Sequence, residues 1–157
     1  MKLTSKQRLP RVFLCSLWLS LSGPIAALES DVEQPITVEA DSMDIDDGAR
    51  TSVYRGNVVL HQGTITLKAS KVTVIQGKGK GDSDRIVAEG TPAILRQLPD
   101  GKQEHIEGRA RRMEYSVDSE LLLLIGQASL KQGNDNFRSD RIAYDRKKAM
   151  IKAGKLS

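Results

Sequence analysis

From Ile36 onward apolar and polar residues alternate with a period of two, not 3.6. Ile65, Leu67 and Ala69 alternate with Thr66 and Lys68; Val72 and Val74 alternate with Lys71 and Thr73; Val58 and Leu60 sit among Asn57, Val59 and His61. Such alternation describes strands with one buried and one wet face. Turn signals recur every eight to twelve residues, at Asp47-Gly48, Gln62-Gly63, Gly77 to Asp82, Pro99-Asp100-Gly101 and Gly133 to Asn136. Leu121 to Ile125 is the one continuous apolar run, which fits a strand buried on both faces or covered by a partner.

The alternation slips by one residue at four places. Ile36-Val38-Ala40 gives way to Met43-Ile45, Ile65-Leu67-Ala69 to Val72-Val74, Ile106-Ala110 to Met113-Tyr115, and Phe137-Ser139 to Ile142-Tyr144. A one-residue slip turns every later side chain to the other face, so a strand that keeps one face inward needs a bulge or corner there. Four corners predict an all-β fold of many short antiparallel strands, a jelly roll or folded sandwich. Offsetting the chain by 70 residues superposes Ile36 on Ile106, Met43 on Met113, Gly56 on Gly126, Leu60 on Leu130 and Gln62-Gly63 on Gln132-Gly133, with 8 of 43 positions identical over 36–78. A tandem β-repeat is expected.

Residues 1–27 lie outside this pattern. A basic start (Lys2, Lys6, Arg8, Arg11) precedes the apolar run Val12 to Leu21 and the small residues Ala26 and Ala27. This is the arrangement of a secretory signal, with cleavage expected after Ala27, and the apolar run is shorter than the roughly 20 residues that span a bilayer. A single domain over residues 28–157 is then expected in the periplasm. The chain has 24 basic and 20 acidic residues, but the leader holds the whole excess. Without it the charge is balanced, which leaves no electrostatic case for nucleic acid. Cys15, the only cysteine, is also in the leader, so no disulfide, thiol nucleophile or thiolate metal site is available afterwards.

Candidate chemistry is sparse. His61 and His105 have no second His or Cys nearby in sequence, and a metal needs three or four convergent ligands. Asp41, Asp44, Asp46 and Asp47 fail the calcium-loop spacing, since counting from Asp44 puts Gly48 fifth and Arg55 twelfth; a hairpin turn with a solvated acidic face fits better. The Gly77 to Asp82 loop lacks phosphate-loop spacing and no helix follows it. No cofactor, metal or catalytic set is expected. After residue 27 the aromatics are Tyr54, Tyr115, Tyr144 and Phe137, too few for a stacking platform.

Several stretches, taken in order, resemble the LptA/OstA-like family of periplasmic lipopolysaccharide-transport proteins. They are Gln34-Pro35-Ile36-Thr37-Val38-Glu39-Ala40-Asp41, Tyr54-Arg55-Gly56-Asn57-Val58-Val59-Leu60-His61-Gln62-Gly63-Thr64-Ile65, Ile125-Gly126-Gln127-Ala128 and Ser139-Asp140-Arg141-Ile142-Ala143-Tyr144. The resemblance covers about residues 32–152. It implies a twisted, open-ended β-jelly roll that binds lipopolysaccharide in an apolar trough and carries it from inner to outer membrane, without enzymatic activity. It also implies LptC-like inner-membrane and LptD-like outer-membrane partners joined through edge strands, and a head-to-tail homo-oligomer. By parity the trough would be lined by Ile36, Val38, Met43, Ile45, Val58, Leu60, Ile65, Leu67, Val72, Val74, Ile94, Met113, Tyr115, Leu130, Phe137, Ile142 and Tyr144. Of these, Ile36, Val38 and Tyr115 match family positions that face lipid. The same side chains would equally pack a dry core, so a structural or adhesion-type β-module of the envelope stays open, with an exported β-jelly-roll hydrolase behind it.

Charge is uneven at the ends. Residues 29–47 hold eight acids and no base, whereas residues 138–155 hold seven bases against Asp140 and Asp145. An acidic first strand and a basic last one would attract head to tail, with open sheet edges completing the joint.

Overall fold

The computed structural model describes residues 31–79 and 83–154. The predicted leader and its cleavage site lie outside the described residues. Nine strands follow a short 3-10 turn, Asp31–Glu33: β1 (Ile36–Glu39), β2 (Ser42–Asp46), β3 (Thr51–Gln62), β4 (Ile65–Ile75), β5 (Arg85–Gln97), β6 (Ile106–Ser116), β7 (Leu121–Gln132), β8 (Asp135–Asp145) and β9 (Met150–Gly154). They form one antiparallel meander in which each strand from β3 onward pairs with the next, while β1 and β2 share the first edge by pairing with opposite halves of β3. The sheet does not close: β1 and β2 are one edge and β9 the other.

Every long strand breaks register near its middle. The breaks fall between Arg55 and Val58, Lys68 and Lys71, Glu89 and Ala93, Arg109 and Arg112, and Ile125 and Ala128. They align because Ser42, Arg55, Lys71, Glu89, Arg112, Ile125, Arg141 and Gly154 pair in one continuous row across the sheet. This row is a fold line. On one side lie the arm halves carrying Val58, Leu60, Leu67, Ala93, Ile106, Ala128 and Leu130; on the other lie those carrying Val72, Ala88, Met113, Leu122, Leu124 and Ile142. All are buried in one cluster, so the two arms face each other across a shared apolar interior. The four sequence slips coincide with this line, as strands that keep one face inward through a corner require.

The corners of β3 and β7 turn without a slip. Each inserts two left-handed residues, Gly56 (φ 76°) with Asn57 (φ 46°) and Gly126 (φ 78°) with Gln127 (φ 52°). Gly56 must be glycine, because a Cβ there would fall 2.2 Å from Asp41 Oδ2. Asp41 sits at the break between β1 and β2, where its N–H donates to Gly56 O (3.0 Å) and its carboxylate accepts from Asn57 Nδ2 (2.9 Å). The 70-residue repeat thus extends to the backbone: Arg50 with Glu120 (φ 52° and 50°) and Gly63 with Gly133 (both 56°) match as well.

The acidic cluster is structural in the same sense. Asp44 pairs with Arg55, and Asp46 Oδ1 accepts the Ala49 N–H at 2.8 Å to close the β2–β3 turn. Among the described residues no group of three or more His, Cys, Asp or Glu is placed to hold a metal ion. On the convex face Glu89 bridges Lys71 (3.1 Å) and Arg112 (2.8 Å), and Arg112 also reaches Glu114 (2.7 Å). The hydrogen bond from Lys71 is the main reason the Glu89 carboxyl lies below its usual value. The pairs are half-exposed and serve mainly to set strand register.

Leu121 to Ile125 departs from the expectation of a strand buried on both faces. Leu122 and Leu124 are buried, whereas Leu121, Leu123 and Ile125 are half-exposed on the convex side. Alternation persists within an all-apolar run because the sheet offers only one interior.

Candidate functional site: an apolar slot between two arms

Between the arms, away from the fold line, lies an apolar cavity of about 60 Å³. One wall is Leu60, Gln62, Ile65, Leu67, Leu95 and Gln97; the other is Ile86, Tyr115, Leu122 and Arg146. The first wall ends at the β3–β4 turn. There the buried carboxylate of Asp31 accepts the Thr64 N–H (2.6 Å), the Thr64 hydroxyl (2.8 Å) and Gln97 Nε2 (2.8 Å). These three donors satisfy a carboxylate that would otherwise be costly to bury. The segment before β1 is thereby tied across the ends of β3, β4 and β5. Gly63 has φ +56° and would place a Cβ 2.3 Å from Asp31 Oδ1, so this tie also demands glycine.

The second wall ends in the turns after β6 and β8. Arg146, just past β8, donates from Nη1 to the Tyr115 hydroxyl at 3.1 Å, and its guanidinium carbon lies 6.0 Å from the centre of the Tyr115 ring. Burial pushes the Tyr115 and Tyr144 phenols up from their usual values, partly opposed by Arg146. Both phenols therefore stay neutral and available as hydrogen-bonding groups at neutral pH.

All the residues expected by parity except Ile94 fall into three overlapping groups. Val58, Leu60, Leu67, Val72, Met113, Leu130 and Ile142 are buried in the shared cluster, with Val38, Val74, Tyr115 and Tyr144 packed against it. Leu60, Ile65, Leu67 and Tyr115 border the slot. Ile36, Met43, Ile45 and Phe137 have the inward parity of their strands yet are 52%, 55%, 57% and 38% exposed. They lie in β1, β2 and β8, at or beside the open edges, where no further strand covers them. Ile94 requires a correction. It pairs with Lys68 and Arg109 on the convex face, while Ala93, Leu95 and Gln97 point inward. Counting by twos from Ile86 and Ala88 reaches Ile94, but the corner at Gly90 to Pro92 shifts the parity by one. Leu95 is the slot residue, and Ile86, Leu122 and Arg146 join it.

The chain matches, over residues 37–150, the family described as LptA/(LptD N-terminal domain) LPS transport protein. It is 36% identical over 150 residues to the lipopolysaccharide export system protein LptH of Pseudomonas aeruginosa, covering 95% of this chain and 84% of that one. It is 35% identical over 141 residues to the lipopolysaccharide export system protein LptA of Escherichia coli K12, covering 90% and 75%. The fold aligns with the crystal structure of LptH, the LptA-homologous periplasmic component of the P. aeruginosa lipopolysaccharide transport device, at a TM-score of 0.75 and 34% identity, covering 81% of this chain and 87% of that one. No helix among the described residues is long and apolar enough to cross a membrane. An open β-jelly roll with this sequence over nearly its whole length belongs to the LptA/LptD N-terminal family of lipopolysaccharide-transport proteins.

Proposed function

We propose that this chain is a non-enzymatic periplasmic carrier. It takes acyl chains of lipopolysaccharide into the interior between its arms and passes them toward the outer membrane as one unit of a bridge. The observation that carries this reading is the run of inward-parity apolar side chains that stays uncovered at both sheet edges, Ile36, Met43 and Ile45 at one and Phe137 at the other. A self-sufficient core would end in covered or polar positions; an interior that continues into a neighbour would not. Exposing one acyl chain of about twelve carbons to water costs on the order of 10 kcal/mol, at roughly 0.8 kcal/mol per methylene. A continuous apolar path removes that cost at each step.

The size of the slot supports a second reading. A cavity of roughly 150 Å³ takes up a single benzene, and this one holds about 60 Å³. As it stands it is a dry core with a small void, as expected for a structural module, and carriage requires side chains at its mouth to move. Photoreactive residues at Ile36, Val38 and Tyr115, with Lys68 on the convex face as control, separate the two readings. Lipopolysaccharide adducts at the three inward positions and none at Lys68 are expected. A folded protein with no adduct anywhere would put the structural module first.

The edges fit end-to-end joining, both to further copies and to LptC-like and LptD-like partners. Each edge presents unpaired backbone and exposed apolar side chains, with Met150 in β9 36% exposed. The electrostatic contribution is smaller than the charge count suggests, since Asp31, Asp41, Asp44 and Asp46 are already held within the chain. Raising salt from about 50 to about 500 mM is therefore expected to weaken self-association only several-fold. Sedimentation at both salts checks this, and no change at all would remove the electrostatic part while leaving edge pairing intact.

A further inference from the structure

Among the described residues, the one cationic side chain that borders the apolar slot is Arg146. Among the described residues it forms no ion pair. Its guanidinium donates to a neutral phenol and lies at the edge of cation–π range, 6.0 Å from the Tyr115 ring; the Glu120 carboxylate acts on that phenol without forming an ion pair with Arg146. Its position is nevertheless fixed. The Arg146 N–H donates to Glu120 O (3.1 Å), and the neighbouring Lys147 Nζ donates to Asp118 O (2.5 Å), which fastens the β8–β9 turn over the β6–β7 turn. Arg146 thus stands at the rim of a cavity too small for an acyl chain, while Lys148 Nζ pairs with Asp145 Oδ2 at 3.2 Å.

We propose that Arg146 is a displaceable plug and the anion-contacting residue of this slot, recognising the phosphate of an anionic amphiphile whose acyl chain enters beneath it. The inference rests on the carrier reading and adds a residue and a ligand chemistry to it. In the free protein the arginine stem covers the apolar mouth and its head rests on Tyr115, an arrangement typical of long cationic side chains at apolar surfaces. An entering acyl chain displaces the stem. The guanidinium then exchanges a neutral hydroxyl for a phosphate, to which it can donate two parallel charge-assisted hydrogen bonds. The fixed turn keeps the head at the rim, so apolar and anionic parts of one ligand are read at adjoining places.

Equilibrium binding of the whole purified chain tests this with three ligands: bis-phosphorylated lipid A, the same lipid stripped of phosphate, and inorganic phosphate. Arg146→Met keeps the apolar stem and loses the charge. It is expected to bind phosphorylated lipid about tenfold more weakly, the loss of one charged hydrogen-bonding partner, and dephosphorylated lipid within about twofold of the parent. Arg146→Lys, which keeps the charge without the fork, should fall between. Inorganic phosphate should not compete at concentrations that saturate neither lipid. Equal weakening toward both lipids would mean Arg146 acts by packing, and no weakening would mean it is a solvated rim residue; either overturns the proposal while leaving the carrier reading intact. Competition by free phosphate would overturn the lipid headgroup as its partner. A parent protein that binds neither lipid would overturn both readings together.

Discussion

Leu130→Ala is expected to lower unfolding stability by about 3 kcal/mol, whereas Ile36→Ala should lower it by less than about 1 kcal/mol. Both residues are large aliphatics in strands, and both point to the same side of the folded sheet. They differ in what covers them. Leu130 is 0% exposed and Ile36 is 52% exposed. Leu130 pairs across the ladder with Gly108, and a Cβ built on that glycine would lie 3.7 Å from Leu130 Cδ1 and 3.3 Å from Leu124 Cδ1. The two leucines have grown into the space the glycine leaves. Fixed ladders on both sides prevent the backbone from closing a void there, so the cavity term adds to the transfer term. Ile36 pairs with Gln62 at the first edge and loses little by truncation. Urea unfolding of the two variants gives the comparison. A large loss at Ile36, growing with protein concentration, would mean that a second copy already covers this edge.

The same contrast explains what was legible beforehand. Alternation exposed the strands, and the parity slips exposed the corners of β4, β6 and β8 and the break between β1 and β2, because a slip is a one-dimensional trace of a turned backbone. The corners of β3 and β7 left no such trace. Tyr54 and Val58 share a parity, as do Leu124 and Ala128, since two left-handed residues are inserted rather than one. Only the repeated Gly56 and Gly126 marked them. The β5 corner leaves no legible slip for the complementary reason: its parity change is hidden within Gly90 to Pro92, so parity alone turns Ile94 inward where the structure turns Leu95. The family resemblance rested on these short motifs, and the match over residues 37–150 agrees with it. Two features of the slot had no sequence signal. Burial of Asp31 depends on Thr64 and Gln97, which are 33 and 66 residues away. Arg146 read as one base in a basic tail, because only the β6–β7 turn beneath it places it over Tyr115.

Ile65→Asp should abolish lipid binding, by at least about a hundredfold, in a protein that still folds. Ile65 opens β4 directly after the Gly63-Thr64 turn and is only half-buried, so a carboxylate there can reach water in the free state. It nonetheless lines the slot, on the same wall as Leu60, Leu67 and Leu95. When an acyl chain enters, that escape is closed and the carboxylate must be desolvated against hydrocarbon, which costs several kcal/mol or forces proton uptake. The penalty therefore falls on the complex and not on the free protein. Ile65→Asn separates charge from polarity: it presents a neutral amide of the same size and should weaken binding only about tenfold. Equilibrium binding at neutral pH beside urea unfolding reads both quantities. Two variants that bind lipid as the parent does would place the acyl chains elsewhere, along the exposed edge residues rather than between the arms. If both instead lost stability in step with binding, Ile65 would belong to a closed core and the slot would not be the place where lipid enters.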